Sequence, residues 1–136
     1  MRSPLTHVLL ASAIAVLGAC SDALSPESLA GTYVATTFTV SGEVSGDVLA
    51  EGGNLTITLN ADRTTTGNLL IPASLAYGED FTASMVGTFT IIEETLTFAQ
   101  DADTFIRDLF WTVNESQLRS TGTFSGVTIT IVLSRQ

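Results

Sequence analysis

The chain has no lysine, and its five basic residues are all arginines. Its one histidine is His7 and its one cysteine is Cys20, so beyond residue 20 there is no imidazole, no amine side chain and no thiol. Ser-His-Asp and Cys-His nucleophiles, lysine Schiff bases and the usual zinc sites each need one of those groups. A single thiol also rules out an internal disulfide, so the core must hold the fold alone. What remains is carboxylates, hydroxyls and four arginines; no catalytic residue, metal site or cofactor is expected, and the chain reads as a non-enzyme. Basic residues are outnumbered by 14 acidic ones, a net charge of −9. Such a surface repels phosphate backbones and anionic head groups, so nucleic acid is not an expected partner and no basic patch can hold a membrane.

The first twenty residues differ from the rest. Arg2 gives a positive start, Leu5 to Leu17 is apolar apart from small or mildly polar interruptions, and Gly18-Ala19 are small. That is the layout of a secretory signal, too short and too weakly flanked for a spanning helix. Its end, Leu17-Gly18-Ala19-Cys20, resembles the lipobox of bacterial lipoproteins. The resemblance implies that residues 1–19 are removed and that Cys20 is lipidated as the first residue of the mature protein. The plainer alternative is an ordinary cleaved signal. Each buried methylene is worth about 0.8 kcal/mol and two acyl chains suffice for stable anchoring, so the implied partner is a membrane held through lipid. Without Arg2 the balance is four basic against 14 acidic residues, or −10. Ser21 after the cysteine suggests the bacterial outer membrane. Residues 20–30 form the lipidated cysteine and a tether, reaching roughly 30 Å if fully extended. Within it Ser25-Pro26-Glu27 reads as an N-cap, a proline in the first turn and an acid, predicting one helical turn with Leu29 facing the domain.

From Gly31 to the end the period is two. Leu55, Ile57 and Leu59 alternate with threonines, as do Leu96 and Phe98, and Val127, Ile129, Ile131 and Leu133. Half-buried strands carry this pattern, and β-branched threonine suits their solvated face. Turn signals at Asn60-Ala61-Asp62-Arg63, Glu93-Glu94, Asn114-Glu115-Ser116 and Ser125-Gly126 divide the segment. The strands expected are 32–40, 54–60, one from Thr64, 82–92, 95–99, one near 107–113, 117–124 and 127–134. Short connections imply an antiparallel meander, and eight such strands close into an up-and-down barrel over residues 31–136, a single all-β domain. For the first strand both faces have an apolar claim, Tyr33 and Ala35 against Val34 and Phe38.

These residues resemble the lipocalin-like (calycin-type) barrels of bacteria. Leu29-Ala30-Gly31-Thr32-Tyr33 stands where that superfamily has Gly-x-Trp, and residues 54–64 are similar to its strand and Asp-Gly-Thr hairpin, with Arg63 in the glycine's place. Gly87-Thr88-Phe89-Thr90 and the closing hairpin from Leu118 to Leu133 extend the likeness. It implies that Arg135, at the end of the last strand, stacks on or near Tyr33 across the barrel base. It also implies a small apolar ligand or an envelope lipid, bound through the interior.

Phe38, Tyr77, Phe81, Phe89 and Trp111 are the candidate ligand contacts, because inward aromatic side chains either fill a small barrel or line its pocket. Filling is the commoner use. Residues 41–53 and 72–80 are long for hairpin connections and belong at a barrel mouth, where Tyr77 and Phe81 would form a lip. The acidic run from Asp101 to Asp108 lacks the order of a calcium loop and reads as a solvated loop with an Asp–Arg pair. A membrane-spanning barrel is disfavoured by short strands and by the absence of aromatic girdles. The expectation is thus a monomeric lipoprotein of the bacterial cell envelope that binds a small apolar molecule. Its alternative is a protein-interaction or inhibitor module with a filled core and acidic binding loops.

Overall fold

A computed structural model describes residues 24–114 and 116–136; the signal segment with His7 and Cys20 lies outside the described residues. The strands are β1 (Gly31–Gly42), β2 (Gly46–Asp47), β3 (Asn54–Leu59), β4 (Thr64–Ile71), β5 (Phe81–Ser84), β6 (Gly87–Ile92), β7 (Thr95–Gln100), β8 (Trp111–Val113), β9 (Gln117–Phe124) and β10 (Val127–Arg135). Two four-residue helices, α1 (Pro26–Leu29) and α2 (Phe105–Asp108), and a 3-10 turn at Ala73–Leu75 complete the chain. All pairings are antiparallel: β1 with β3, β3 with β4, β4 with both β5 and β6, then each strand with the next from β6 to β10, and β10 pairs back onto β1. The result is a closed eight-stranded barrel, compatible with a lipocalin-like fold.

The ten segments reduce to eight barrel strands because β5 and β6 are two halves of one strand and β2 pairs only with β1, outside the barrel circuit. Both pair with β4 in the same register, Asn68 opposite Ser84 and Thr64 opposite Thr88. The ladder opens between them at Met85-Val86, beside Gly67. That glycine has φ +136°, and a Cβ there would lie 2.0 Å from the Thr56 carbonyl oxygen, so no larger residue fits the close approach of β4 to β3. β2 is a short return onto Thr39 and Val40, made by the excursion between β1 and β3.

Strand β1 resolves its own ambiguity with a bulge. Ala35 pairs with Leu133 and Thr37 with Val132, leaving Thr36 as the extra residue. The alternation therefore changes phase once: Tyr33 and Ala35 face inward before the bulge and Phe38 after it. Ten residues of β1, Tyr33 to Gly42, thus run against nine of β10, Val127 to Arg135, and the bulge keeps both apolar sets of β1 inside.

Turn chemistry matches the sequence. Ser125 and Gly126 have φ +48° and +80°, the paired positive values of a tight hairpin turn. In the Asn60–Arg63 turn, Arg63 takes φ +75°, where a glycine would be unstrained, and the Asp62 carboxylate accepts from the Thr64 amide at 3.0 Å and its hydroxyl at 2.6 Å. Those two bonds hold the Asp62 carboxyl below its ordinary value.

One expected strand begins late. Residues 107–110 are not strand: Thr104 caps α2 by accepting from the Ile106 amide, and only Trp111–Val113 joins the sheet. The apolar spacing of Phe105, Ile106 and Leu109 turns a helical face, with Ile106 and Leu109 buried, onto the open end of the barrel.

Candidate functional site

The barrel has two ends of different construction. At the base, Ser25 and Ser28 form a reciprocal cap and Pro26 opens α1. Leu29 is driven into the barrel end, fully buried. The Tyr33 hydroxyl donates to the Leu29 carbonyl at 2.8 Å, and the Arg135 guanidinium lies 5.4 Å over the Tyr33 ring. Arg135 also donates from Nε to the Tyr33 oxygen at 3.2 Å and from Nη2 to the Ser28 carbonyl at 2.8 Å. Burial pushes the Tyr33 phenol above its ordinary value, against the lowering effect of the Arg135 charge and hydrogen bond. Leu24 and Leu29 thus pack against the base, so the described part of the expected tether is docked on the barrel.

The middle of the barrel is filled. Phe38, Phe89 and Trp111 are all buried; Phe98 meets Trp111 edge to face at 5.9 Å, and the Trp111 indole N–H donates to the Ile106 carbonyl at 3.4 Å. These three candidate ligand residues serve as core. Buried polar groups interrupt it: Thr65 and Ser120 donate to the Met85 and Phe110 carbonyls, but Gln100, at the mouth end of β7, is 4% exposed and neither side-chain amide atom has a protein partner.

At the mouth, α2 closes the core from above, with Phe105 against Phe38 and Phe124 at 6.3 Å each. Above this floor lies an apolar depression of about 280 Å³, walled by Val40, Val44, Ile71, Leu75, Tyr77, Phe105, Phe124, Val127 and Ile129. A second, of about 250 Å³, shares Ile71, Leu75, Tyr77 and Phe105 with it and adds Ala76 and Phe81. Tyr77 and Phe81, the other two candidates, are therefore at the lip; Tyr77 is 90% exposed and has φ +61°, a left-handed backbone that costs energy for a residue with a Cβ. The loops that shape the mouth are tied together: Ser74 donates to the Glu51 carboxylate at 2.8 Å, the Asp80 carboxylate accepts from the Ala73 amide at 2.8 Å, and Leu75 packs on Gly46.

Sequence reasoning missed most of the lining. Val44 and Leu75 are isolated apolar residues in loops and Ile71 ends the run Leu69-Leu70-Ile71, and no local pattern marks the three as neighbours. Charge is distributed as unevenly as the packing. Loop 43–53 brings Glu43, Asp47 and Glu51 to the mouth, loop 72–80 brings Glu79 and Asp80, and loop 101–110 brings Asp101, Asp103 and Asp108, all exposed. One guanidinium stands among these eight carboxylates, that of Arg107, which bonds Asp103 at 2.8 Å and the Gln100 carbonyl at 3.2 Å. At the base, among the described residues, Glu27, Asp62, Glu93 and Glu94 face Arg63, Arg119 and Arg135.

Compared with known proteins, the chain matches no family model, no curated protein and no solved structure.

Proposed function

We propose that the protein is a lipid-anchored envelope lipoprotein, held through Cys20, whose barrel takes up a small apolar molecule at its mouth and performs no catalysis. The observation that carries the binding reading is the apolar depression over α2. It is concave, lined by aliphatic and aromatic side chains, and flanked by an exposed tyrosine in a strained conformation, the combination in which ligand sites and stored backbone strain coincide. Because the barrel interior is occupied by Phe38, Phe89, Phe98 and Trp111, the ligand is assigned to the mouth and not to the centre. Beyond residue 20 the chain offers no imidazole, amine or thiol, which supports a binding role over an enzymatic one.

A second reading draws support from the same filled core: an interaction module that presents its acidic loops to a protein. Purification of the full chain from bacterial membranes without denaturation separates the two. Native mass spectrometry is expected to find an added diacylglyceryl mass that disappears in Cys20→Ala, and a non-covalent mass that vanishes on denaturation. An unmodified Cys20 would overturn the anchor. A clean apo mass that persists after incubation with small apolar molecules would overturn the ligand and leave the interaction module.

A further inference from the structure

This inference deepens the ligand reading above and rests on it. The walls of the mouth contain Val, Ile, Leu, Ala, Phe and Tyr side chains and no cation. An anionic head group entering it would meet one side-chain donor, the Tyr77 phenol. The loops at this end carry eight exposed carboxylates, and several neighbour the lining residues in the chain. Glu43 precedes Val44 in the chain and packs against the Gly126 turn next to Val127; Asp80 precedes Phe81; Asp108 shares α2 with Phe105. Among the described residues, the one guanidinium at this end, that of Arg107, is bonded to Asp103.

Apolar walls of low dielectric concentrate the field of a charged rim into the cleft between them, and a single-sign rim selects the sign of what enters. The exposed rings of Tyr77 and Phe81 add a face that attracts a cation and gives nothing to an anion. The volume, about 280 Å³, suits a molecule of one or two rings or a short chain. We infer that the occupant of the mouth is an organic cation with an apolar body, seated on Phe105 and Leu75 with its positive group at the carboxylate rim.

The test uses three probes of one shape on the full chain: 1-naphthylmethylammonium, 1-naphthalenemethanol and 1-naphthoate, with affinities from calorimetry. The expected order is cation, then neutral, then anion. At roughly 0.01 M salt, where the Debye length is about 30 Å, the cation should lead the neutral probe about tenfold, and the lead should shrink at about 1 M salt. In the variant E43Q/E79Q/D108N the cation-to-neutral ratio should fall toward one, with the thermal transition of each protein recorded to show that both are folded. If the neutral probe binds and the cation binds no better, the charge assignment is wrong while the apolar site stands. If the anion binds best, the occupant is of fatty-acid type and the inference falls. If none of the three binds, both the inference and the ligand reading fall.

Discussion

The protein has two tyrosines, and they stand at opposite ends of the same barrel. Tyr33 is fully buried, donates to the Leu29 carbonyl and lies under Arg135; Tyr77 is 90% exposed on a left-handed backbone at the rim. The base is where the chain closes on itself: first strand, last strand and α1 meet in one hydrogen-bonded knot, with four side-chain carboxylates against three guanidiniums among the described residues. At the mouth the strands end in long loops, the floor is a four-residue helix, and the charge has one sign. One end is packed and hydrogen-bonded and the other presents apolar surface to solvent, the usual division between scaffold and binding loops.

Four substitutions or titrations break or sharpen that contrast. The largest effect is expected from Tyr33→Ala, which empties the base; by analogy with other aromatic deletions it should cost about 3–5 kcal/mol in urea unfolding. Tyr77→Ala should stay within about 0.5 kcal/mol, as an exposed site does. Equal losses at both positions would erase the distinction between the ends.

Gln100→Met comes next, with the opposite sign. An inward amide with no protein partner carries its desolvation cost, so replacing it with an apolar side chain of similar length should stabilise the fold by about 1–2 kcal/mol. A loss of stability there would show that the amide is satisfied through water.

The alkaline limit tests the base alone. Because the folded Tyr33 phenol is raised above the usual tyrosine value, its contribution is complete below about pH 10, where the unfolded phenol is still protonated. Stability should fall as pH rises from there through the folded value. Tyr33→Phe should abolish that slope, at a cost near neutrality of about 1 kcal/mol for the lost hydrogen bonds. Midpoints of urea unfolding from pH 8 to 11 would show it.

The smallest effect concerns the Asp62 turn. Its carboxyl is lowered, so the two bonds to Thr64 contribute above the unfolded value and are lost as pH falls through the folded one. Asp62→Ala should remove this part of the acid sensitivity without altering the alkaline limb, read from the same unfolding midpoints.

Much of the scaffold was legible because it follows local rules. Period-two threonine alternation marked the strands, Ser25-Pro26 marked α1, and Ser125-Gly126 marked the last hairpin. What escaped depends on distant partners. The bulge at Thr36 exists because β10 holds a fixed register against β1, and no local pattern announces it. The helical turn at Phe105–Asp108 lay inside a stretch with apolar residues suited to a strand, and its Thr104 cap decided the outcome. Of the five aromatic candidates, three were absorbed by the core because a barrel this small needs its large side chains for filling. The wall of the mouth came from aliphatic residues whose meeting depends on three loops converging.

The knot around α1 also fixes a direction. The chain leaves the barrel at the base, and Cys20 is four residues before Leu24, at most about 14 Å of extended chain. An acylated Cys20 would therefore stand the barrel upright on the bilayer with its less acidic end, as counted over the described residues, facing down. The carboxylates gathered at the far end form an electric dipole along the barrel axis, and an anionic membrane surface would repel that end. Lipid attachment and dipole would then act in the same sense, turning the mouth outward to whatever passes in solution.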